Sequence, residues 1–108
     1  MITRITRGRL APNTEARVFS ILRTAAAAQP MLPGMASMSL SRTMEGRDTV
    51  LVAVTVWSDM TAMAEALGTR WQEPSWLPGV GECIEAGTVE ILETVAASTT
   101  LEQLAATG

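Results

Sequence analysis

The chain has 108 residues, a net charge of −3, 47% hydrophobic and 18% charged residues. That is the size and balance of one domain with a packed core, and the negative charge offers nucleic acid no attraction. With no histidine and no tyrosine, the chain has no imidazole to act as a general base near neutral pH or to ligate zinc or haem iron.

Residues 2–10 alternate as a strand, with Ile2, Arg4, Thr6, Gly8 and Leu10 on one face and Thr3, Ile5, Arg7 and Arg9 on the other. Ala11-Pro12-Asn13 breaks it, with Asn13 as N-cap of a helix and Glu15 in the first turn, where a negative charge suits the helix dipole. Val18, Ile21, Leu22, Ala25 and Ala26 follow the spacing of one helical face, and Pro30 ends the helix. Pro33-Gly34 is a turn. Met35–Arg42 alternates again, Ala36, Met38 and Leu40 opposite three serines, and Glu45-Gly46-Arg47-Asp48 is a hairpin turn.

Val50–Trp57 is a strand with two largely apolar faces, one of valines and one of Leu51, Ala53, Thr55 and Trp57. Ser58 is placed to cap a second helix, with Asp59 in its first turn, Met60, Met63, Ala64 and Leu67 on one face and Gly68 just past its end. Residues 69–87 have no clean period and contain Trp71 and Trp76, and Thr88–Val95 is a last strand.

The order strand, helix, strand, strand, helix, strand predicts an α+β fold. It is the ferredoxin-like βαββαβ arrangement, a four-stranded antiparallel sheet with two helices on one face. A second copy is expected to cover the other face, so that two sheets form a dimeric α+β barrel. The domain is drawn at residues 1–95. Residues 96–108 form a small polar tail, read as one short helix capped by Thr99 and Glu102 or as disordered chain. No apolar run approaches the roughly 20 residues of a membrane span. The single Cys83 suits a reducing compartment, so a cytoplasmic protein without membrane contact is expected.

Four stretches resemble the antibiotic biosynthesis monooxygenase-like group of dimeric α+β barrels. They are Arg7-Gly8-Arg9, Leu32-Pro33-Gly34, VTVWSDMTAM at Val54–Met63, and Thr88-Val89-Glu90, and the resemblance covers about residues 2–95. It implies a homodimer with a pocket between each sheet and its helices. It also implies oxidation of a small aromatic or quinone-like compound by molecular oxygen without a cofactor. The alternative is a non-catalytic barrel that binds a small ligand or serves structure alone. Ile91 and Leu92 stand where some relatives carry His and Tyr, and haem cleavage lacks its histidine ligand.

No residue is assigned as catalytic, and no metal or cofactor is expected. The candidate ligand-binding residues are Arg7, Trp57, Trp71 and Trp76. Trp57 can donate its indole N–H to a ligand oxygen or simply pin the strand–helix junction. Trp71 and Trp76 sit in a long loop that can wall a pocket or contact a partner. Arg4, Arg7 and Arg9 on a central strand need carboxylates or an anionic ligand, with Glu90 and Glu93 of the last strand as expected ion-pair partners. The methionines, Met35, Met38, Met60 and Met63 among them, are core filler or an adaptable lining.

Overall fold

A computed structural model describes residues 1–28 and 31–97. The elements run β1 (Ile2–Leu10), α1 (Glu15–Ala28), β2 (Met35–Glu45), β3 (Asp48–Trp57), α2 (Met60–Leu67) and β4 (Ile84–Glu93). The sheet order is β2-β3-β1-β4, and each neighbouring pair is antiparallel. The ferredoxin-like arrangement read from the alternation is therefore the observed one. The tail beyond residue 97 and Pro30 lie outside the described residues.

Register decides which side chains share a face. Ile2, Arg4, Thr6 and Gly8 stand opposite Trp57, Thr55, Ala53 and Leu51 of β3. This face carries the helices. Leu10 and Leu51 pack with Val18 and Leu22 of α1 and with Val80 and Cys83, while Ile2 and Trp57 pack with Met63 of α2. Trp57 and Met63 are fully buried, and burial of one such side chain contributes roughly 2–3 kcal/mol. Cys83 is a free, buried thiol in this core.

The opposite face presents Val52, Val54 and Val56 beside Thr3 and Ile5, all half-buried. None of the described elements lies over it. The valine set is thus the face left open, and the Leu51–Trp57 set is the one covered by the chain's own helices.

Local corrections have local causes. Asn13 does not cap α1. It takes a left-handed conformation (φ 65°) in the preceding turn, and the first helical bond runs from the Val18 N–H to the Thr14 carbonyl. Asp59, not Ser58, caps α2, its carboxylate accepting from the Ala62 N–H at 2.7 Å. Gly68 follows α2 as expected. The β2–β3 hairpin closes on Gly46-Arg47 with Glu45 opposite Asp48. Gly46 has φ 62° at the first central position, where a type II′ turn favours glycine. β4 begins four residues before the expected Thr88, since short 3-10 turns at Gly68–Arg70 and Gly81–Cys83 shorten the long loop from both ends.

Arg4 differs most from expectation. It is 6% exposed, on the helix-facing side, and no carboxylate meets it among the described residues. Its guanidinium instead donates to the Trp71 carbonyl at 3.1 Å, the Glu73 carbonyl at 2.7 Å and the Thr6 hydroxyl at 2.9 Å. Burial lowers its pKa from the ordinary arginine value. One side chain of β1 thereby ties down the loop after α2. Arg4→Met keeps the apolar stem but removes all three donors. We expect a stability loss of about 2 kcal/mol in urea denaturation and faster proteolysis confined to residues 71–80. Unchanged stability and cleavage would show that the loop does not depend on Arg4.

Candidate functional site

The four candidate residues do not converge. Arg7 lies on the open face, paired across β1 with Val52 and Thr88, so the sheet separates it from the three tryptophans. Trp57 spends its indole N–H on the Thr55 hydroxyl at 2.9 Å. Its geometry is that of a packing anchor with its donor already committed. Trp71 packs on the Ile2–Trp57–Met63 cluster. Trp76 packs instead on the Leu10–Val18–Leu51 cluster and lies over Gly8. A Cβ at Gly8 would stand 2.7 Å from the Trp76 ring, so the missing side chain makes room for the indole. Among the described residues Trp76 Nε1 is buried without a hydrogen-bond partner, a donor whose desolvation costs about 1–3 kcal/mol.

The expected ion pairs are also rearranged. Arg7 and Glu90 share the open face but stand diagonally, opposite Thr88 and Ile5 respectively. They make no ion pair. Arg9 pairs with Glu85 at 3.5 Å. The register slips between Arg9 and Leu10, so Glu85 is the extra residue of a β-bulge, and a bulge re-aims the side chain it carries. Arg7, Arg9, Glu45 and Thr88 line a small cleft of about 210 Å³ at this end of the open face.

The larger concavity lies elsewhere. A groove of about 470 Å³ runs between α1 and the β2–β3 edge of the sheet. Phe19, Leu22 and Ala26 form its helical wall, and Met38, Leu40 and Leu51 form its floor. Two periods build it. Phe19, Arg23 and Ala26 fall on one flank of α1, beside the core stripe of Val18 and Leu22. Met38, Leu40 and Arg42 alternate onto the helix-facing side of β2, opposite Thr55, Ala53 and Leu51.

Arg23 and Arg42 also line the groove, and among the described residues no carboxylate does. Both are exposed, so their charged ends stand at its mouth while their stems lie along apolar surface. The Arg42 guanidinium lies 5.4 Å from the centre of the Phe19 ring, a cation–π distance. It also lies 3.7 Å from Glu15, whose carboxylate accepts the hydroxyl of buried Thr49. An apolar floor with a cationic mouth can take up a flat hydrocarbon body and hold an acidic group at its edge. Of the groove residues, the sequence pattern marks Met38 as possible lining and Leu22 and Ala26 as core, but does not single out Phe19, Arg23 or Arg42. Phe19 and Arg23 form a second stripe on α1, one residue around from the core stripe, whereas Arg42 follows from the alternation of β2.

The sequence matches no protein-family profile, and no curated protein matches it. Solved structures do match the fold. A candidate antibiotic biosynthesis monooxygenase from Deinococcus radiodurans superposes with a TM-score of 0.65 at 16% identity, over 94% of this chain and 99% of that one. A variant of MhuD, with two manganese protoporphyrin IX molecules bound per active site, gives 0.64 at 15% identity, over 93% and 100%. A variant of SnoaB, a cofactor-independent oxygenase from Streptomyces nogalater, gives 0.59 at 21% identity, over 89% and 94%. The chain spans nearly the whole length of each, and its fold is the one these structures share.

Proposed function

We propose that the chain is a monooxygenase-like protein that takes a small aromatic or quinone-like molecule into the groove between α1 and β2. The observation that carries this reading is the groove itself, about 470 Å³ with largely apolar walls, in a fold shared with a cofactor-independent oxygenase over almost the full chain. The volume suits a flat molecule of two or three fused rings.

The chemistry must work without the usual bases. There is no histidine or tyrosine, and among the described residues no carboxylate lines the groove. The substrate must therefore ionise largely by itself, as an activated methylene between aromatic rings or a phenol can. Dioxygen then oxidises the methylene carbon to a carbonyl. One oxygen atom stays on carbon, and the other leaves as water with the two hydrogens. The part left to the protein is to hold the ring flat, exclude water and stabilise the negative charge. The absence of a base favours a second reading, a barrel that binds the same kind of molecule without turning it over.

Function at this groove goes with assembly. A second copy covers the open face, burying Val52, Val54 and Val56 of both subunits in a two-fold barrel. The buried, free Cys83 and the lack of any described helix long and apolar enough to cross a membrane support a cytoplasmic setting.

Two measurements test these statements. In light scattering the protein runs at twice its 11.5 kDa chain mass, and Val54→Asp, which puts a charge in the centre of the open face, gives a folded monomer; a monomeric parent contradicts the barrel. In an oxygen electrode with anthrone, uptake exceeds the protein-free rate and falls at least about tenfold in the groove-filling variant Ala26→Phe. Uptake equal to background rejects the oxygenase reading and leaves the binding one.

A further inference from the structure

We infer that the ligand of this groove is an organic anion, a flat aromatic body bearing one ionised acidic group that Arg23 and Arg42 receive at the mouth. The inference rests on the groove reading above and adds the charge class of the ligand. Three observations carry it.

The first is charge balance. The ionisable side chains at the groove are Arg23, Arg42 and the adjoining Glu15. Glu15 offsets one guanidinium, and it is already engaged by the Thr49 hydroxyl. Arg23 has no ion-pair partner among the described residues. The mouth is thus left with a net positive charge in a chain whose total is −3. A cation kept beside an apolar groove, against the sign of the whole molecule, favours an anion by Coulomb attraction.

The second is position. Arg23 follows Phe19 by one turn of α1, about 6 Å along the axis. Arg42 is held at the Phe19 end by its contact with that ring. The two guanidinia therefore flank the groove along its length, where an acidic oxygen on the edge of a ring bound between Phe19 and Leu40 comes within reach of either. The third is the lining. Apart from the arginines it is hydrocarbon with the uncharged Ser39 and Ser41, so an ionised group of the ligand meets opposite charge only at the mouth, where the arginines are.

A matched pair of fluorescent probes tests this. 8-Anilinonaphthalene-1-sulfonate and N-phenyl-1-naphthylamine share one aromatic frame and differ by a sulfonate. At low salt the sulfonate probe is expected to bind about fivefold more tightly than the neutral one, the size of an exposed ion pair. The double variant Arg23→Gln, Arg42→Gln, or 1 M salt, should remove that difference, so that the two probes bind equally. Ala26→Phe should weaken both probes, which separates groove binding from binding on the open valine face. If both probes respond to Ala26→Phe but bind equally, or if the arginine variant leaves the difference intact, the anion inference fails and the groove reading stands. If neither probe responds to Ala26→Phe, the groove reading itself fails.

Discussion

A strand shows its side chains to two sides in turn, and β1 and β3 lie in the middle of the sheet where neither side is an edge. One side of this pair carries Ile2, Leu10, Leu51 and Trp57, all buried by the chain's own helices and loops. The other carries Val52, Val54 and Val56, which the described elements leave half-covered, with Val50 buried at one end. That inequality organises the molecule. It sends both helices to one face and leaves the other without such cover from the described elements. It also leaves α1 leaning over the edge of the sheet, where helix and strand diverge enough to form a groove.

The same constraint separates two kinds of arginine that the sequence places side by side. Arg4 alternates inward, and a buried guanidinium must spend its donors. It does so on two loop carbonyls and a threonine, so a cation on β1 becomes the fastening of the Trp71 loop. Arg7, three residues later, alternates outward to the open face. Arg23 and Arg42, on a helix flank and an edge strand, are the ones whose charge stands next to apolar concavity. Charge alone did not distinguish these positions; register did.

Much of the architecture was legible because strands and helices write their periods into the chain. The alternation in 2–10 and 50–57 and the helical stripe from Val18 were enough for the order of elements and the place of β1 at the centre. The site was less legible, for physical reasons. Alternation divides residues into two faces without saying which face the helices take, so Arg7 and the tryptophans were grouped although the sheet divides them. A groove arises between two elements, and Phe19 and Arg42 meet across 23 residues of sequence with no local signal linking them. A bulge at Glu85 shifts one strand against another and moves an ion pair from the expected glutamates to an unexpected one. The cap of α2 moved by one residue because Asp59 follows Ser58, and both are competent capping side chains.

The proposed seat of the ligand is the groove between α1 and β2. A crystal soaked with a hydroxylated anthrone-type compound tests it most directly. Density for the ring system is expected between Phe19 and Leu40, with its ionisable oxygen toward Arg23 or Arg42. Density only beside Arg7 on the open face, or beneath the Trp71–Trp76 loop with the groove unoccupied, would contradict it.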